Sequence, residues 1–235
     1  MSNDHPIVGI LGGMGPAATI ELMRRIVDAT PATVDSDHIH LIVDNNTKVP
    51  SRIAALQFGA PEDPGPVLAD MAAGLERQGC DFLAMPCNTA HKFLPAIRDA
   101  VDIPVLDMIA ATVEETKSQQ TTPGPVGVLA STAARRIGLY DKALESQGFQ
   151  IIHPRSQERL MAIIHDIKAV GRSEHAEGEL TAIIDELTED GAKAIVVGCT
   201  ELSVLMGAIR CDPPLVDALQ CLTHAILSKT RQWGA

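Results

Sequence analysis

Aromatic residues are scarce in this chain: they make up 3% of 235 residues, with a single tryptophan and a single tyrosine. Stacking platforms for bases or flat cofactors need several such rings, so functions of that kind find little support. Basic residues are also in deficit, 19 against 30 acidic ones, and the formal charge of −11 argues against a nucleic-acid backbone or an anionic membrane as the main partner. Long apolar runs are missing. The opening MSNDHPIVGILGGMGPAAT has no basic leader and is interrupted by glycine and proline, so neither a signal peptide nor a spanning helix is expected, and the cytoplasm is the default location. The five cysteines, Cys80, Cys87, Cys199, Cys211 and Cys221, contain no CxxC pair and no histidine at zinc spacing. Neither a disulfide framework nor a metal site is expected from them.

What is present is a hydrophobic content of 46% and a strong rhythm. Short β-branched runs alternate with longer helical patterns: PIVGIL then PAATIELMRRIVDA, HIHLIVD then GPVLADMAAGLERQG, DFLAMP then a helix through Arg98. That alternation predicts an α/β fold with parallel sheets covered by helices. Pro16, just after GGMG, suits the first turn of a helix, where its missing N–H has no intrahelical partner to lose.

The second half of the chain repeats the first. VGILGG at 8–13 recurs as VGVLAS at 126–131, and AMPCNT at 84–89 is echoed by VVGCTE at 196–201. Ala96-Ile97-Arg98 follows Cys87 at the spacing at which Ala208-Ile209-Arg210 follows Cys199, and a proline-led strand comes next in both halves, PVLDMI and PPLVDAL. Duplication of one α/β unit explains these landmarks. Two similar parallel-sheet domains are expected, 1–99 with 207–235 and 100–206, with the boundary in DAVDIP and a cleft between the carboxyl ends of their strands.

Cys87 and Cys199 occupy equivalent strand ends, whereas Cys80, Cys211 and Cys221 read as packed thiols. A helix start beyond each of the pair is expected to lower its thiol pKa. Two opposed thiols match one task, in which one removes a proton from carbon while the other protonates the opposite face. A nucleophilic cysteine needs only one thiol and normally a histidine. His91 lies close to Cys87, yet the second half has no matching histidine, so a supporting role is expected for it. Removing an α-proton builds negative charge on the substrate carboxylate, and Asn88, Thr89 and Thr200 stand where they can donate to it; helix capping is their alternative role.

These residues resemble the aspartate/glutamate racemase family along the whole chain: GILGGMGP near the start, then VPSRI, MPCNTAH and IKAVG, with VVGCTE near the end. The pattern is most similar to the aspartate racemases, because GGMG and GCTE stand where glutamate racemases carry an Asp-Ser-Gly turn and GCTH. The resemblance implies an enzyme that interconverts L- and D-aspartate without pyridoxal phosphate, with no cofactor and no metal. It also implies Cys87 and Cys199 as acid and base, exchanging roles with direction. It assigns Arg52 and Lys168 to the substrate's side-chain carboxylate and places Met14, Ser131 and Thr132 along the site. Where aspartate racemases usually carry PDRT, this chain has Pro50-Ser51-Arg52-Ile53: the arginine stays while its neighbours change, which extends the expected substrates to glutamate. Maleate isomerase and hydantoin racemase, which also carry paired cysteines, are the competing enzymes. A non-catalytic protein binding an acidic metabolite is the competing class, and it has no need of two thiols. A homodimer is the expected assembly.

Overall fold

The strand Val8–Gly12 (β1) is buried along its whole length, as a strand covered on both faces must be. It belongs to a computed structural model that describes residues 5–58, 62–120 and 122–233, and that divides into two compact units. The first unit runs to Met108 and resumes at Leu222; the second is Ile109–Cys221.

In the first unit β1 is followed by helix α1 (Pro16–Ala29), strand β2 (Leu41–Asn45), helices α2 (Arg52–Phe58) and α3 (Pro64–Arg77), strand β3 (Phe82–Ala84) and helix α4 (Leu94–Arg98). The sheet is parallel with order β2-β1-β3, and Val105 bridges to Leu83 as a further parallel neighbour of β3. Helix α3 starts as its sequence dictates, with Asp63 accepting from Gly65 N–H at 2.9 Å and Pro64 in the first turn. Its Leu68, Met71, Ala72 and Leu75 pack with Leu11, Leu83 and Met85 of the sheet side.

Helix α5 (Met108–Gln119) begins at the division between the units. The second unit then contains strand β4 (Pro125–Leu129), helices α6 (Thr132–Arg136) and α7 (Asp141–Glu145), strand β5 (Gln150–Ile152), helices α8 (Gln157–Val170) and α9 (Glu174–Glu189), strand β6 (Ala194–Val197), helix α10 (Thr200–Ser203), strand β7 (Leu215–Asp217) and helix α11 (Ala218–Arg231), which crosses back into the first unit. Its parallel sheet has the order β5-β4-β6-β7. Counting the Val105 bridge, this is the order of the first sheet, so the internal repeat of the sequence is matched strand for strand. Helices α8 and α9 bury Leu160, Ile163, Ile164, Ile167 and Leu180, Ile183, Ile184, Leu187 against Leu129, Ile195 and Val197. Spacings of three and four residues put each set on one helical face.

Three expectations need correction. Residues 100–108, expected in the second domain, lie with the first unit, where Val105 bridges Leu83. Residues 207–221, expected in the first domain, lie with the second unit, because β7 pairs with β6 through Ile195–Leu215, Val196–Val216 and Val197–Asp217. The single helix expected from Cys87 through Arg98 is a 3-10 helix, Thr89–Phe93, followed by α4. Pro95 has no N–H to return to His91, so the α-helical ladder is interrupted there, and Leu94 N–H bonds the His91 carbonyl in the tighter pattern instead. No helix among the described residues is long and apolar enough to cross a membrane.

The glycine turn after β1 is required by geometry. Gly13 has φ +88°, and a Cβ there would lie 2.4 Å from the Asn46 backbone at the end of β2. Gly13 N–H donates to Thr19 Oγ1 at 2.9 Å, which ties the turn to α1. Gly13→Ala is therefore expected to destabilise the protein by about 1–3 kcal/mol from the backbone conformation alone, read as a lower urea midpoint.

Candidate active site

In the first unit β3 runs through Met85 and Pro86 into Cys87, which is buried at the edge of the core, with its N–H turned back to the Met85 carbonyl at 2.9 Å. Asn88 is buried and stands at the N-cap of the 3-10 helix, but its side chain makes no capping bond there; Thr89 is half-buried. His91 is buried between the Cys87 carbonyl, 2.9 Å from Nδ1, and the Met108 N–H, 3.1 Å from Nε2. Burial above all holds its pKa below the usual imidazole value, so the ring is neutral and unsuited to act as a charged partner for the thiol.

Arg52 opens α2 and reaches back to the glycine turn. Its Nη1 donates to the carbonyls of Val49 at 3.2 Å and Pro50 at 2.9 Å, and its Nη2 to that of Met14 at 3.2 Å. Three backbone acceptors fix the guanidinium plane. The buried Nε–H has no hydrogen-bond partner, leaving the Nε/Nη2 edge able to receive an anion. Met14 contributes this carbonyl, while its side chain packs into the core.

In the second unit β6 ends at Gly198, where a Cβ would come 2.7 Å from the buried Tyr140 ring, so the residue before Cys199 has to be glycine. Cys199 is the N-cap of α10, and Thr200 is buried behind it. Cys199 Sγ–H donates to Glu201 Oε2 at 3.1 Å, and Lys168 Nζ lies 3.3 Å from Glu201 Oε1. A cation, a carboxylate and a thiol thus form one chain. Ser131 caps α6, accepting from Ala134 N–H at 3.3 Å. Thr132 is placed by its N–H to Met161 Sδ at 3.3 Å and by Gln157 Nε2, which donates to its Oγ1 at 3.4 Å.

The structure therefore gathers Met14, Arg52, Cys87, Asn88 and Thr89 beyond the carboxyl ends of the first sheet, and Ser131, Thr132, Cys199 and Thr200, with Lys168 reaching in from α8, beyond those of the second. Among the described residues, no three His, Cys, Asp or Glu side chains come together as a metal site requires. Glu201, which the sequence marks only as the fourth letter of GCTE, is the residue that sequence reasoning undervalued.

The expected lowering of the thiol pKa does not hold at Cys199. Burial, then the charge of Glu201 and its hydrogen bond, push this thiol well up, and Lys168 opposes them without prevailing. A four-residue helix carries too little terminal charge to offset a buried site beside a carboxylate. Burial also raises Cys80 to about 11 and Cys221 to about 12, in keeping with packed thiols. Because only the thiolate is alkylated, Cys199 is expected to react with iodoacetamide more slowly than a free thiol at pH 8 and to accelerate as pH rises. Glu201→Gln removes the negative charge, lowers the Cys199 pKa and is expected to speed its alkylation at pH 8, followed peptide by peptide by mass spectrometry; an unchanged rate counts against the carboxylate's part in raising that pKa.

Comparison with known proteins identifies the family. The model of the Asp/Glu/hydantoin racemase family matches residues 11–226. The broad specificity amino-acid racemase RacX of Bacillus subtilis is 27% identical over 230 residues, 94% of this chain and 97% of that protein. The glutamate racemase of Deinococcus radiodurans is 31% identical over 169 residues, 68% of this chain but 56% of that one. Among solved structures, Picrophilus torridus aspartate racemase superposes with a TM-score of 0.86 at 27% identity, covering 96% of this chain and 94% of its own. With the family model spanning nearly the whole chain and both cysteine motifs inside it, the protein belongs to the Asp/Glu/hydantoin racemase family and is an isomerase.

Proposed function

We propose that the protein racemises amino acids with an acidic side chain, interconverting L- and D-aspartate and, with looser selection, glutamate, without pyridoxal phosphate or a metal. The observation that carries this reading is the equivalent placement of the two thiols: each follows the strand beside the central β1 or β4, in sheets of the same strand order. A duplicated unit that presents a thiol in each copy suits a substrate whose carbon must be served from two faces.

In one direction the Cys87 thiolate takes the α-proton and the Cys199 Sγ–H protonates the opposite face; in the other the roles exchange. The raised pKa of Cys199 keeps it a thiol at neutral pH, ready to donate. The forward step leaves Cys87 as Sγ–H and Cys199 as thiolate, the form in which Cys199 is the base of the reverse reaction; Glu201 Oε2 accepts the Cys199 hydrogen bond in the protonated form. Developing charge on the substrate's α-carboxylate is met by donors around the thiols, for which Asn88, Thr89 and Thr200 are the nearest side chains in sequence.

The side-chain carboxylate goes to Arg52. An unmade hydrogen bond on a buried N–H costs free energy, and a carboxylate lying along the Nε/Nη2 edge makes it in a two-point contact. Lys168 adds a second cation. Its ammonium carries three hydrogens and the side chain is 40% exposed, so pairing with Glu201 leaves donors for the substrate.

Purified protein with no added pyridoxal phosphate, incubated in D2O with each enantiomer of aspartate and glutamate, is expected to exchange the α-proton and invert the centre of at least one pair. Cys87→Ser and Cys199→Ser should each lower racemisation by about 100-fold or more, the scale of lost acid or base catalysis. Full activity in either variant rules out the two-thiol mechanism. Arg52→Lys, which cannot form the fork, should lower kcat/KM for acidic substrates by about 100-fold, as expected when a charged two-point contact is broken.

A further inference from the structure

His91 stands four residues beyond Cys87, and Ser203 stands four beyond Cys199. Both are buried, and the chemistry of each is fixed by its partners. The Met108 N–H can only donate, so His91 Nε2 is the acceptor and the ring proton resides on Nδ1, which donates to the Cys87 carbonyl. The ring thereby joins the Cys87 loop to the first residue of α5. In the second unit Ser203 Oγ donates to Asp217 Oδ1 at 2.6 Å, and the same oxygen accepts from Leu219 N–H at 3.0 Å, in the first turn of α11. Ser203 closes the turn that Cys199 opens, whose own carbonyl accepts from Leu202 N–H at 3.0 Å.

Asp107 directly precedes α5 as Asp217 directly precedes α11, so the two ties end at equivalent points of the repeat. The side chains differ, an imidazole in one unit and a hydroxyl–carboxylate pair in the other, yet the loop and the helix start that they connect are the same.

We infer that His91 and Ser203 are equivalent positioning residues, each anchoring one reactive thiol loop to the helix that follows the next strand, His91 for Cys87 and Ser203 for Cys199. The catalytic consequence rests on the racemase reading above, whereas the effect on the reactivity of each thiol does not. A reacting sulfur displaced by an ångström loses its alignment with the α-carbon, while the grip of Arg52 on the side-chain carboxylate, which lies off both thiol loops, is untouched.

The test uses the full-length protein with Ser203→Ala, Ser203→Thr and His91→Asn. Site-resolved iodoacetamide labelling should show a changed rate, by about 3-fold or more, at Cys199 alone in Ser203→Ala and at Cys87 alone in His91→Asn, as a local change in thiol environment requires. With the best acidic amino acid as substrate, kcat should fall by about 10–100-fold in both while KM changes little, the scale of a misplaced catalytic group, and Ser203→Thr should recover most of the loss. In D2O, deuterium uptake into recovered substrate should fall more for one enantiomer in Ser203→Ala and more for the opposite enantiomer in His91→Asn, because each variant misplaces the thiol on one face. Labelling rates that stay unchanged, or that shift at both thiols together in each variant, overturn the inference. If His91→Asn fails to fold, Ser203→Ala, which removes one oxygen, decides it with Ser203→Thr as control. An unaltered protein with no racemase activity ends the racemase reading, and the labelling experiment still decides the anchoring.

Discussion

Parallel pairing makes every strand of a sheet end on the same side, and the site depends on that constraint. Ile10 lies beside Ala84 and Val128 beside Val196, so the turn after the first strand of each unit is delivered next to the loop that carries the thiol. Two stretches separated by some seventy residues of sequence become neighbours because both follow strands of one sheet. The glycine turn can then offer its Met14 carbonyl to Arg52, and Ser131 can cap α6 on the equivalent side of the other sheet.

Electrostatics refines what the fold delivers. In a chain with a formal charge of −11, Arg52 and Lys168 are the cations that the proposed function assigns to an acidic substrate, and they come from opposite halves of the sequence. They are held differently. Arg52 is clamped by three carbonyls with one buried N–H left over, while Lys168 shares its charge with Glu201. Glu201 acts in two directions at once: it pairs with the lysine, and its charge and hydrogen bond help to keep Cys199 protonated.

The ties at His91 and Ser203 show what duplication retains. Side-chain identity has diverged, and the hydrogen bonds run through a ring in one copy and a carboxylate in the other. The connection between thiol loop and helix start persists, because an unheld loop would let the sulfur wander while the sheet behind it stayed rigid. The absence of a second histidine, which set His91 apart in the sequence, is resolved by a serine at the matching position.

Much of this was legible in the sequence. The α/β rhythm, the internal repeat, Pro16 opening the first helix, and Cys87 and Cys199 at equivalent strand ends all follow from local patterns, since strand runs, helix caps and repeats are encoded by residues close together in the chain. The broken helix after Cys87 was also written there, in Pro95. What the sequence could not contain was set by contacts distant along the chain. The assignment of 207–221 to the second unit came from β7 pairing with β6; the raised Cys199 pKa came from burial beside Glu201; the neutral tautomer of His91 came from Met108. The sequence by itself determined the α/β alternation, the internal repeat and the cysteine at the matching strand end of each copy. Only the tertiary structure decided which groups share protons and charge, because those energies depend on distance and desolvation, and both are properties of the packed fold.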